Sequence, residues 1–133
     1  MQLETIDDVM APMPHSVGSE QTLAIAFELM QKHGIRHLPV RQGGKLVGVL
    51  SDRDLYFARA VDQKKFDEMT VENVYTAEPY CVARGTSVAD VARQMAKDGL
   101  GCALVTEGDN LIGIFTTTDA CRLLATILDK ASA

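Results

Sequence analysis

The apolar positions along this chain change period twice, and then the whole pattern runs again. Leu23, Ala26, Phe27 and Met30 fall at the i, i+3, i+4, i+7 spacing of one helix face. Thr22 stands where an N-cap hydroxyl is wanted, and Gly34 where a helix closes on a left-handed residue. The period then shortens. Ile35 to Val40 reads as a strand, with Pro39 leaving its N–H side unpaired or at an edge. Gln42-Gly43-Gly44-Lys45 is a turn, and Leu46 to Leu50 is a continuously apolar, buried strand. A second helix runs from about Asp52 to Val61. Ahead of these elements, residues 1–12 form a lead-in ended by Pro12 and Pro14, and His15-Ser16-Val17 is a short extended piece. Residues 62–70 are polar and charged and read as a linker with room for one helical turn.

The pattern restarts 65 positions on. Pro79 repeats Pro14, Val82 repeats Val17, and Val88, Val91, Ala92 and Met95 repeat the helical stripe. Ser87 and Asp90 fit a capping box. Gly99, Val105, Gly108, Leu111, Gly113 and Asp119 repeat Gly34, Val40, Gly43, Leu46, Gly48 and Asp54. Identities in fixed register, with turns and helices in phase, mark an internal duplication. Each copy reads β-α-β-β-α, so the class is α+β. The division by chain order is a first repeat over 1–61 with its lead-in, a linker over 62–70, and a second repeat over 71–133. One copy has a small one-sided sheet. Two copies are expected to pack face to face about a pseudo-twofold axis, leaving two equivalent clefts.

Chemistry concentrates where the last strand of each copy meets its helix. Gly48-Val49-Leu50-Ser51-Asp52-Arg53-Asp54 and Gly113-Ile114-Phe115-Thr116-Thr117-Thr118-Asp119 each set a hydroxyl three residues before a carboxylate. A helix start offers free N–H groups and the positive end of a dipole, which suit a phosphate. A carboxylate can accept both hydroxyls of a ribose cis-diol. Plain N-capping needs the same residues and is the commoner use of them. The bulk properties narrow the partners. A net charge of −5 and a pI of about 5.1 argue against nucleic acid and anionic membrane surfaces. No apolar run approaches the ~20 residues of a membrane helix. Met1-Gln2-Leu3-Glu4 has neither a basic nor an apolar region, so no signal peptide is expected. Cys81, Cys102 and Cys121 are odd in number with no C-x-x-C spacing, and they read as reduced thiols in a cytoplasmic protein. His15, His33 and His37 share no ligand spacing, so no metal site is expected. Ser51, Asp54 and His37 lack the setting of a nucleophile elbow, and no catalytic residues are expected.

These motifs carry a family resemblance. Asp8-Val9-Met10 with Pro14, Thr22-Leu23, Ile35-Arg36-His37-Leu38-Pro39-Val40 and Gly44 through Leu55 resemble the CBS domain family. So do Glu72-Asn73-Val74, Pro79, Ser87-Val88 and Gly113 through Asp119. The resemblance covers nearly the whole chain, so no fused catalytic or transport domain is expected. It implies a Bateman module, a homodimer, and an adenosine-containing regulatory ligand such as AMP, ADP, ATP, NAD or S-adenosylmethionine, with no cofactor required. A protein partner of unknown identity would be modulated. The alternative is a dimerisation or docking scaffold that binds no ligand. Carried over by residue, the resemblance implies that Asp54 and Asp119 hold ribose and that Ser51 and Thr116 hold ribose or phosphate. It places base contacts at Val17, Gly18 and Ile35, and at Val82, Ala83 and Leu100. Arg36 and His37 would serve phosphate at the Asp119 pocket, whereas the matching Gly101 and Cys102 give the Asp54 pocket no such help, though Arg53 or Arg84 could substitute. Two unequal sites are therefore expected, the Asp119 site tighter for phosphorylated ligands. The second copy departs from the family in Asn73-Val74-Tyr75 and Ala103-Leu104-Val105.

Overall fold

The computed structural model describes residues 5–132, so Met1-Gln2-Leu3-Glu4, on which the signal-peptide expectation rests, lies outside the described residues. In chain order the elements are β1 (Ala11–Pro12), β2 (Val17–Gly18), α1 (Leu23–His33), β3 (His37–Gln42), β4 (Lys45–Ser51), α2 (Asp52–Val61), α3 (Gln63–Phe66), β5 (Thr76–Ala77), β6 (Cys81–Ala83), α4 (Val88–Asp98), β7 (Cys102–Glu107), β8 (Asn110–Thr116) and α5 (Thr117–Ser132). The strands form two four-stranded sheets, ordered β2-β3-β4-β5 and β1-β8-β7-β6. Within each, one strand pair is parallel and the others antiparallel. The fold is α+β, and the repeat survives in detail. The long hairpins β3–β4 and β7–β8 both slip register at matching places, between Val40 and Arg41 and between Val105 and Thr106.

The chain forms two compact units whose bounds do not follow the repeat in chain order. One is His15–Pro79; the other joins the described residues up to Pro14 with those from Tyr80 onward. In the first, Leu23, Leu38, Leu50 and Val71 are fully buried together. In the second, Ile6 is fully buried with Val91, Val105 and Phe115. Each repeat's lead-in thus completes the other repeat's sheet. β1 pairs with β8 (Ala11 with Ile114, Pro12 with Gly113), and β5 pairs with β4 (Gly48 with Ala77, Val49 with Thr76). The repeated glycines explain why the cover fits. A Cβ on Gly48 would collide with the Thr76 carbonyl and the Tyr75 ring, and one on Gly113 with the Met10 side chain. Tyr75 and Met10 are themselves matching positions of the repeat.

Three local features add to the sequence reading. Within residues 62–70 the helical turn forms as α3, and it carries one side chain, Phe66, into the core. Asp62 Oδ1 caps α3 by accepting from the Lys64 and Lys65 N–H groups at 3.0 and 3.1 Å, and Phe66 is buried. The Arg59 guanidinium lies 4.9 Å from the Phe27 ring centre and 4.7 Å from that of Phe66, tying α1, α2 and α3 together. Pro39 sits in an interior strand, but β2 pairs only with Val40 and Arg41 and stops short of it. The matching Leu104 N–H donates to the Tyr80 carbonyl at 2.9 Å, the bond proline cannot make. At α4 only half of the capping box forms. Ser87 accepts from the Asp90 N–H at 3.4 Å, while the Asp90 carboxylate turns to Arg93 at 2.7 Å.

The two glycine contacts differ in how far their neighbours can yield. Gly48 faces a backbone carbonyl and an aromatic ring; Gly113 faces the flexible end of a methionine. Gly48→Ala is expected to cost about 1–3 kcal/mol and Gly113→Ala under about 1 kcal/mol, as overpacking against stiff and soft neighbours does. Urea unfolding of both variants beside wild type checks the order.

Candidate functional site

Each candidate junction is built by a strand that stops and a helix that starts at once. Ser51 is still extended, with φ −106° and ψ 161°, while Asp52 opens α2. The side chains at this boundary satisfy each other's backbone. The Asp54 N–H donates to Ser51 Oγ at 3.1 Å, and the Ser51 N–H donates to Asp54 Oδ2 at 2.9 Å. At the second junction the Asp119 N–H donates to Thr116 Oγ1 at 3.2 Å. The Thr116 N–H and Oγ1–H donate to Asp119 Oδ2 at 2.9 and 3.0 Å. Losing such a cap costs about 0.5–2 kcal/mol, so these residues stabilise their helices whatever else they do. A further bond fixes each helix start against the loop before the hairpin: Asp52 N–H to the Arg36 carbonyl at 2.9 Å, and Thr117 N–H to the Gly101 carbonyl at 3.0 Å.

The surroundings of the two junctions differ chemically. His37 pairs across the hairpin with Ser51, whereas a buried thiol, Cys102, pairs with Thr116. The first unit thus gathers Ser51, Asp54 and His37 around one strand end, with Arg36 exposed one residue away. Burial pushes the His37 pKa down, only partly offset by Asp52 and Asp54, and Arg36 lowers it further. Its imidazole is therefore neutral at neutral pH, and Arg36 is the fixed positive charge of the pair. Ile35 and Arg36 line an open recess of about 330 Å³ beside the start of α2, together with Phe27, Met30, Asp52 and Tyr56. Val17 and Val82, expected as base contacts, have their side chains in the two cores. Gly18, Ile35 and Leu100 are half-buried and Ala83 is exposed, so these four keep accessible surface. Arg84, considered above as a substitute phosphate contact, pairs with two carboxylates outside the junction. Its Nε lies 2.7 Å from Asp7 and a terminal nitrogen 3.1 Å from Glu107, while Asp7 also accepts from the Gly85 N–H at 2.9 Å.

Two features escaped the sequence reading. Arg122 places a guanidinium nitrogen 3.1 Å from Asp119 Oδ1, so among the described residues only the second junction carries an ion pair on its carboxylate. The i, i+3 spacing of Asp119 and Arg122 was the available signal. The His15 and His33 rings stack with centres 3.6 Å apart and planes 13° from parallel. Among the described residues, no group of three or more histidine, cysteine or acidic side chains could hold a metal ion. Nor is any helix there long and apolar enough to cross a membrane.

Comparison with known proteins gives this geometry a context. The CBS domain family matches residues 6–60 and 71–126. L-aspartate semialdehyde sulfurtransferase of Methanocaldococcus jannaschii is 32% identical over 120 residues, which are 89% of this chain and 23% of that protein. The first curated relatives are thus much longer: the chain spans only about a fifth to a quarter of their length. The crystal structure of CBSX2 in complex with AMP superposes with a TM-score of 0.77 at 29% identity, covering 93% of this chain and 98% of that one. The CBS domain pair of protein MJ0100, in complex with 5′-methylthioadenosine and S-adenosyl-L-methionine, gives 0.82 at 28% identity, covering 94% and 98%.

Two measurements test the site electrostatics. His37 and His33 both have folded pKa values below the ordinary 6.5, so the unfolded chain takes up protons first as pH falls. Their contribution is intact above about 6.5 and is lost as pH drops through the folded values. Urea midpoints should fall between pH 7.5 and pH 5, less steeply in a His33→Gln/His37→Gln double variant. Burial, aided by Cys81, pushes the Cys102 thiol up to about 12, while Cys121 is exposed. A thiol reagent at pH 8 should label Cys121 in the native protein and reach Cys102 only after unfolding.

Proposed function

We propose that this chain, which belongs to the CBS domain family, is a regulatory module that binds an adenosine-containing ligand at its Ser/Thr-x-x-Asp junctions and modulates a protein partner. The observation that carries this reading is the repeated junction itself. Twice, a helix start and a carboxylate that can accept a diol are set side by side by the same capping geometry. Their relatives CBSX2 and MJ0100 hold AMP, 5′-methylthioadenosine and S-adenosylmethionine, three ligands that share adenosine and differ in charge. In this reading Asp54 and Asp119 take the ribose hydroxyls, Ser51 and Thr116 contact ribose or phosphate, and the accessible surface of Gly18, Ile35, Ala83 and Leu100 borders the base. Arg36 supplies positive charge for a phosphate, and His37 a neutral hydrogen-bonding group. Regulation requires that the ligand bind two arrangements of the protein with different affinity.

The same reading includes a cytoplasmic homodimer. Tyr56, Phe57 and Val61 on α2, and Leu124, Ile127 and Leu128 on α5, are exposed apolar side chains at helical spacings. From Leu124 onward every described residue of α5 is exposed. Exposed apolar helix faces of this kind support association of two copies. They equally support the alternative of a docking scaffold, which predicts dimerisation without ligand binding.

Thermal unfolding against a panel of adenosine compounds separates the two. A ligand at 100 times its Kd should stabilise the fold by about 2.7 kcal/mol, a melting shift on the order of 10 °C for a domain of this size. The ligand-induced shift is the quantity to compare, because Asp54→Ala and Asp119→Ala each also remove a cap. Loss of the shift in either variant locates binding at that junction. The absence of a shift for every compound in wild type would leave the scaffold reading.

A further inference from the structure

The two junctions share one cap but not one charge, and the difference lies on the carboxylate oxygen that the cap leaves over. At Asp54, Oδ2 accepts from the Ser51 N–H, and among the described residues nothing pairs with Oδ1. At Asp119, Oδ2 is likewise taken, by the Thr116 N–H and hydroxyl, but Oδ1 pairs with Arg122 at 3.1 Å. The position matching Arg122 in the first repeat is Phe57, which offers no donor at all. Oδ1 is the Asp119 oxygen that the cap leaves free, so a diol that reached it would arrive beside a guanidinium.

We propose that Arg122 is the residue that makes the Thr116–Asp119 junction select phosphorylated nucleosides over uncharged ones. This rests on the function proposed above and deepens it by naming the ligand class of one junction. The physical reasoning is a competition. An uncharged ribose must share Oδ1 with the guanidinium or displace it, with nothing given back. A nucleotide offers the displaced guanidinium a phosphate, an acceptor that its planar donor set fits well. The competition is easily reversed because the Arg122 side chain is 74% exposed, and exposed ion pairs are weak. Arg122 can therefore leave Asp119 for a phosphate without disturbing the fold. At the first junction Arg36 stands nearby but, among the described residues, no guanidinium pairs with Asp54, and a diol reaches it without that competitor. The two junctions consequently differ in ligand charge although they read the same sugar. Arg122 favours a nucleoside monophosphate over an uncharged nucleoside at Asp119, and at Asp54 an uncharged nucleoside meets no such competition.

The test measures dissociation constants for AMP and for adenosine, by calorimetry on the full chain. An Asp54→Ala background leaves one junction with its carboxylate. In that background AMP is expected to bind more tightly than adenosine, with an affinity that falls as salt is raised. Arg122→Phe, which installs the first repeat's residue, should lower the AMP-to-adenosine preference about fivefold, the scale of one exposed charge contact. It should also flatten the salt dependence. Arg122→Lys should retain part of both. Unchanged melting temperatures of the unliganded variants would confirm that the exposed side chain was not holding the fold. An AMP-to-adenosine preference that is the same with and without Arg122 overturns this proposal while leaving ligand binding intact. Failure of the wild-type chain to bind any adenosine compound overturns the functional reading itself, and this proposal with it.

Discussion

Neither sheet of this protein closes without the backbone approach that two glycines allow. Gly48 and Gly113 lie where a covering segment presses on a strand, and in both places a single methyl group would collide with that segment. The covering segment in each case comes from the other repeat's lead-in. Much else follows from that contact. It fixes β1 and β5 as edges of sheets remote from them in sequence, and it brings Ile6 and Val71 into the cores. It also holds β4 and β8, the strands whose ends carry Ser51 and Thr116, so the candidate sites inherit their placement from a steric fit some distance from any ligand chemistry.

The elements that local rules govern were legible in the sequence. α1 and α4 run between the Thr22 and Ser87 caps and the left-handed Gly34 and Gly99, as period and capping chemistry require. The hairpins and the two capped junctions were legible for the same reason: each depends on neighbours within a few residues. What the sequence reading missed depends on distant ones. The exchange of lead-ins joins Ala11 with Ile114, about a hundred positions on, and Gly48 with Ala77, about thirty on, and no local periodicity encodes either partner. The polarity of residues 62–70 concealed Phe66, whose burial depends on Phe27 and Arg59 from two other helices. The stack of His15 on His33 depends on tertiary placement alone.

The candidate site was legible as a motif and less so as electrostatics. Ser51, Asp54, Thr116 and Asp119 stand as the repeat implied, but the charges beside them had to be seen. His37, expected beside Arg36 to serve a phosphate, has its pKa pushed down by its own burial. Arg84 is held by Asp7 and Glu107, and so braces the lead-in against the turn after β6. Arg122 supplies a charge that a motif ending at Asp119 leaves out. The duplicated scaffold thus keeps one capping geometry at both junctions, while the side chain three residues on, Phe57 in one copy and Arg122 in the other, differs in charge.

The lead-in exchange has a consequence for how such a protein could arise. One copy of the repeat, alone in solution, would need its cover strand from a second molecule, and its folding would depend on how often two molecules meet. Fusing two copies replaces that encounter with a tethered one, at an effective concentration on the millimolar scale for a short connection. Folding then no longer depends on dilution. The fusion also frees the two copies to diverge, because each now completes a neighbour that is always the same one.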